Sequence, residues 1–235
     1  MQGSEIRNYG DFINVLLAAG FSTGSGNAEG VFAVVPWGWP HSAPYDSPVR
    51  WHTGDPETDP WQWRERVLDE RDDIAYGKLF CRKSGYITRE WYPYFYAARR
   101  GGRDFDEDYE DGQISQAAKR IYGVIEQNGA TPVHIVKQLA GFMREEKSRF
   151  DSAIIELQMK MYLTVSGRQQ KQSNMGLLYG WASTVYCKTE DFFGGEFLDE
   201  AAELSPEKAT ADITERILEL NPAATAAKIA KFIGG

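Results

Sequence analysis

The chain has 235 residues, 42% of them hydrophobic and 26% charged, with a formal net charge of -8. This suits one large domain or two to three small ones with packed cores, excludes a disordered chain, and speaks against diffuse attraction to nucleic acid. No apolar run approaches the roughly 20 residues of a membrane span, no basic-then-apolar leader opens the chain, and Cys81 and Cys187, far apart in sequence, form no CxxC pair, so neither a zinc site nor a disulfide framework is expected.

Residues 5–19 predict a helix, with Ile6, Phe12, Ile13, Leu16 and Leu17 at helical spacing and Gly20 as its stop. Ser22 to Gly30 reads as a loop; its GxG lacks the rest of a phosphate-binding motif. Val31 to Val35 predicts a short buried strand, and residues 36–60 are irregular. Pro60 opens a charged helix expected to reach Phe80, with Val67, Ile74 and Phe80 on its apolar stripe. In the aromatic stretch 86–99, Thr88 is placed to cap a helix that has Pro93 in its first turn. Gly101-Gly102 and the acidic run Asp104 to Asp111 mark an expected boundary.

Ile114 to Asn128 predicts a helix with Ala118, Ile121, Tyr122 and Ile125 inward and Gly129 beyond its end. Thr131-Pro132 signals a second start, followed by Val133, Val136 and Leu139 on an apolar face and a stop at Gly141. A third helix spans about Lys147 to Gln158, with Phe150, Ile154 and Leu157 inward. Met161 to Ser166 and Tyr179 to Tyr186 predict two strands, joined by a polar turn from Gly167 to Asn174. Helix, short helix, helix, hairpin is the order of a winged helix-turn-helix. In that arrangement the third helix offers Arg144, Lys147, Ser148, Arg149, Ser152 and Gln158 to the major groove, and the wing tip offers Arg168, Gln170 and Lys171 to phosphates or the minor groove. Between Lys137 and Lys171 seven basic residues face four acidic ones, a local excess of +3 on an acidic protein.

Ser205-Pro206 starts another helix, which ends near Leu220, and Thr225 to Ile233 forms a last short one. The expected fold is α+β and mostly helical. It has a Trp-rich N-terminal α/β region (1–110), a winged helix (111–193) and a C-terminal helical pair (194–235).

Two stretches carry a family resemblance. One runs from Arg71-Asp-Asp-Ile-Ala-Tyr-Gly-Lys-Leu-Phe80 into Gly85-Tyr-Ile-Thr-Arg-Glu-Trp-Tyr-Pro-Tyr-Phe95 and Arg99-Arg100. The other is the winged helix with Gly180-Trp181 in its returning strand. With the C-terminal helices, these resemble the AlkZ-related proteins, relatives of bacterial DNA glycosylases built from tandem winged helices. The resemblance implies duplex DNA held in a basic cleft. In the glycosylases, water attacks the sugar carbon of an alkylated purine nucleotide. Those enzymes carry Gln-x-Gln or Gln-x-Asp in their first half, whereas the only Gln-x-Gln here is Gln170-Lys171-Gln172, in the expected wing. No catalytic residue is therefore carried over.

Trp37, Trp39, His41, Trp51, His52 and Trp63 form a candidate pocket that would stack a flipped base or a small ligand, or else simply bury an irregular segment. Its histidines lack metal-site spacing, so neither a metal nor a cofactor is expected. Arg99, Arg100 and Arg103 would contact phosphate or pair with Asp104, Asp106 or Glu107. Three readings follow: a cytoplasmic duplex-DNA-binding protein, a DNA glycosylase with an unrecognised site, and a protein-interaction winged helix. No heptad repeat specifies a dimer, and oligomeric state stays open.

Overall fold

The computed structural model describes residues 5–24, 31–172 and 175–234 and is α+β, with two small antiparallel sheets among many helices. No helix among the described residues is long and apolar enough to cross a membrane.

Helix α1 (Tyr9–Ala19) is capped by the Asn8 side chain, which accepts from the Asp11 N–H, and buries Phe12, Ile13 and Leu16. Gly20 ends it at φ 93°; a Cβ there would stand 2.2 Å from the Trp91 ring, so both conformation and space require glycine. Strand β1 (Phe21–Thr23) follows. The expected loop from Ser22 is strand as far as Thr23, and residues 25–30 lie outside the described residues. The expected strand at 31–35 is absent. Val31, Val34 and Val35 are buried, but their segment is tied by side chains: the Thr23 hydroxyl donates to the Phe32 carbonyl, and the Val34 N–H donates to the Ser22 hydroxyl. Helix α2 is one turn (Trp39–Ser42).

Helix α3 spans Pro60–Glu70, capped by Asp59. It stops ten residues short of the expected Phe80, and β2 (Ile74–Phe80) pairs with β3 (Lys83–Thr88) instead. Asp72, Asp73 and Gly77 all disfavour continued helix, and β2 buries residues on both faces, which hides the alternation of a strand. Thr88 closes β3 and does not cap the following helix. Helix α4 (Tyr92–Arg100) starts after Trp91, with Pro93 in its first turn as expected. The first sheet has the order β1-β3-β2.

Within the stretch 101–111, Phe105 joins the buried core that runs on to Tyr186. Helix α5 (Phe105–Glu110) has a capping box between Asp104 and Glu107. Phe105 stacks on Tyr122 at 3.8 Å and meets the edge of Tyr162. Helix α6 (Gln116–Asn128) buries Ala118, Ile121, Tyr122 and Ile125. Thr131-Pro132 is not a cap and first helical residue but a two-residue strand, β4, paired with Tyr186 and Val185. Helix α7 (Val133–Leu139) buries Val136 and leaves Leu139 exposed. A short 3-10 turn (Arg144–Glu146) leads into α8 (Lys147–Met159), which buries Phe150, Ile154 and Leu157.

Strands β5 (Leu163–Gln172) and β6 (Leu178–Lys188) form a ribbon longer than the expected hairpin. Register irregularities at Val165/Gly167 and Gln169/Lys171 let β5 run through the polar stretch expected to turn. The second sheet has the order β4-β6-β5. Helices α9 (Thr189–Phe193), α10 (Gly195–Ala202), α11 (Pro206–Leu220) and α12 (Ala226–Gly234) complete the chain, with Ser205 capping α11. Ile213, Ile217, Ile229 and Phe232 join Phe21, Phe80 and Phe95 in one core, so the C-terminal pair closes over the first sheet and α4.

Candidate nucleic-acid interface

Helix α8 presents two unlike halves. Its N-terminal half, with the turn before it, exposes Arg144, Lys147, Ser148, Arg149 and Ser152. Arg149 stands 3.6 Å from Glu146, which also faces Arg120; these cations and the Met143 N–H hold the Glu146 carboxyl below the usual carboxylate range, the N–H bond being the largest cause. An exposed pair of that kind is weak and readily exchanged for another anion.

The C-terminal half is anchored. Gln158, expected to be exposed, is buried: its amide oxygen accepts the Lys78 N–H from β2 at 2.9 Å, while its nitrogen donates to the Ile154 carbonyl. A Cβ on Gly77 would come within 2.8 Å of that oxygen, so the absent side chain lets α8 dock on β2. The Lys78 ammonium lies beside Arg64, and its partial burial, chiefly, pulls its pKa below the ordinary range. Arg82, at the β2–β3 turn, donates to the Ser152 hydroxyl at 3.3 Å.

The expected wing-tip residues lie instead within strand β5. Arg168 binds Glu65 at 2.7 Å and also Asp69, both on α3, so its charge is already matched. Gln170 donates to the carbonyls of Tyr179 and Gly180 across the ribbon, and Lys171 pairs in register with Tyr179. The Gln170-Lys171-Gln172 motif is thus part of a solvated ribbon. Sequence reasoning missed what lies around it. Trp181 is 93% exposed and Met175 84%, and Leu178 and Tyr179 are also open to solvent. Between Leu157 and Thr189 the chain has four basic residues, Lys160, Arg168, Lys171 and Lys188, and no acid. That acid-free run, interleaved with aromatics, was the available signal.

The candidate aromatic pocket separates into three environments. Trp63 is fully buried, stacked on Phe12 at 5.0 Å, and belongs to the core. Trp39 lines an apolar cleft of about 750 Å³ with Ile6, Phe32, Val34, Tyr45 and Leu220. His41 is exposed in α2. Trp37, Trp51 and His52 form a surface row with Trp61, at centroid spacings of 5.0–5.4 Å, and the Arg64 guanidinium lies 3.4 Å over Trp61. Asp59 builds this row. Its buried carboxylate accepts from the N–H groups of His52, Gly54 and Trp61, holding His52 at φ 60°. The rings meet tilted or edge-on, at interplanar angles of 35° to 62°, so they pack against one another.

The Arg99–Arg103 cluster is structural. Arg99 donates to the carbonyls of Met159, Phe232 and Ile233, tying α4 to the ends of α8 and α12; burial lowers its pKa to about 10, so it remains charged. Arg100 binds Glu190 and stacks on Tyr162. Arg103 pairs with Asp108 and Asp111, neither of them among the expected partners. His134 holds α7 to β6 through Ser183 at 2.8 Å, and burial, with Lys171 nearby, lowers its pKa. Among the described residues no group of three or more His, Cys, Asp or Glu is placed to hold a metal.

No curated protein and no solved structure is detectably similar to this chain. The chain belongs to the AlkZ-related family, whose sequence model matches residues 6–234, nearly the whole chain.

Proposed function

We propose that residues 111–193 act as a winged helix that binds duplex DNA. Helix α8 enters the major groove by its N-terminal half, and the β5–β6 ribbon serves as the wing. The observation that carries this reading is the juxtaposition of three exposed cations at the start of α8, Arg144, Lys147 and Arg149, set among Glu145, Glu146 and Asp151, with an acid-free, aromatic ribbon on a protein of net charge -8. The element order supports it: helix, strand, helix, helix and hairpin, with a sheet ordered β4-β6-β5. Membership of a family related to AlkZ-like proteins agrees with it. Arg144, Lys147, Ser148, Arg149 and Ser152 supply the helix contacts. Gln170 and Lys171 supply the ribbon's polar contacts, and Arg168 stays with its two acids on α3.

A fluorescent duplex titrated at low salt tests the wing. Replacing Trp181→Ser and Tyr179→Ser together should weaken binding by roughly tenfold and leave the melting temperature unchanged, since both side chains are exposed. Unchanged affinity would remove the ribbon from the interface.

A further inference from the structure

We propose that the β2–β3 turn is a second nucleic-acid contact, with the Arg82 guanidinium holding a backbone phosphate beside α8. This rests on the duplex-binding reading above. Three observations carry it.

The first is charge pairing. Arg82 and Arg144 are exposed arginines with neither an acid nor a main-chain carbonyl as partner, whereas the other arginines among the described residues have one or the other. Both stand beside α8. Arg82 reaches it through the Ser152 hydroxyl, a neutral partner that a phosphate oxygen would replace with a stronger, charge-assisted bond.

The second is backbone conformation. Cys81 and Arg82 have φ values of 49° and 62°, both left-handed. A two-residue hairpin of this shape suits Asn-Gly, and side chains carrying Cβ strain it. The chain places a long cation at the strained position, where glycine would be more stable. Strain of this kind collects at binding sites.

The third is rigidity. Gln158 bonds β2 to α8, and Gly77 admits that contact. The turn is thereby held in a fixed position relative to the helix, so Arg82 and the exposed face of α8 meet one duplex together.

The test uses the full chain and a fluorescent duplex over a salt series. The double variant Cys81→Asn/Arg82→Gly makes the turn ideal and removes the cation. It should melt at or above the wild-type temperature yet bind roughly three- to tenfold more weakly, with the slope of log K against log salt reduced by about one. Arg82→Ala should lose affinity to the same extent, and Arg82→Lys should recover part of the loss and the full slope. Unchanged affinity and slope in Arg82→Ala, while Lys147→Glu/Arg149→Glu still weakens binding, would overturn the inference and leave the α8 reading standing. Failure of the wild-type protein to bind the duplex would overturn both.

Discussion

The double charge reversal Lys147→Glu/Arg149→Glu should weaken duplex binding by about 2–4 kcal/mol, or roughly thirty- to thousandfold at fixed salt. Both side chains are exposed on the free half of α8, so the fold does not depend on them. The reversal breaks the exposed Arg149–Glu146 ion pair at 3.6 Å, worth about 1 kcal/mol at most. The weakened binding therefore reports on a phosphate- or base-facing helix, and far-ultraviolet circular dichroism and melting temperature should match wild type. Lys137→Glu, on α7, is the companion variant. If α8 is the reading helix, reversing Lys147 and Arg149 has much the larger effect. Equal effects of all three reversals would point to diffuse electrostatics in place of a docked helix.

Trp63→Ala should cost about 3–5 kcal/mol and lower the melting temperature by about 10 °C, whereas Trp37→Ala should cost under about 1 kcal/mol. Trp63 is fully buried on Phe12, and its indole N–H donates to the Glu57 carbonyl at 3.1 Å. Removing it leaves a cavity and takes the indole donor from the Glu57 carbonyl. Trp37 is 51% exposed and loses little on truncation. Thermal unfolding of the two variants separates the core tryptophan from the surface row. Similar losses would mean that the row is itself part of the core.

Helices with a clear cap and an amphipathic stripe were legible from the residues alone. Helix α6 shows the residues needed, with Ala118, Ile121, Tyr122 and Ile125 on one face and Gly129 after it, and α11 shows Ser205-Pro206 at its start. Strand β2 was not legible. Ile74, Ala75, Leu79 and Phe80 are buried on both faces, and such a run has the same apolar content as the end of a helix. The β5–β6 ribbon was read too short for the opposite reason. Its outer half is solvated, so no buried face imposes alternation on Gly167 to Gln172. Thr131-Pro132 has the residues of a helix start, but pairing with Tyr186 and Val185 makes it a strand.

The exposure of the candidate residues was legible where it rests on local position and hidden where it rests on partners distant in sequence. Lys147 and Arg149 follow from helical spacing alone. The burial of Gln158 depends on Gly77 and Lys78 in another sheet. The neutralisation of Arg168 depends on Glu65 and Asp69 on α3. Arg82 draws its interest from a hydroxyl seventy residues away and from a backbone conformation that composition does not reveal.

The central claim is that this acidic chain binds duplex DNA through the exposed start of α8 and the β5–β6 ribbon. Its most direct test is the affinity of the wild-type protein for a fluorescent duplex across a salt series. Arg144, Lys147, Arg149 and Lys171, with Arg82, predict binding at low salt and a log–log slope of roughly -3 to -5. No binding at low salt, or binding indifferent to salt, would contradict the account and make the exposed face of α8 and the β5–β6 ribbon a surface for protein contacts.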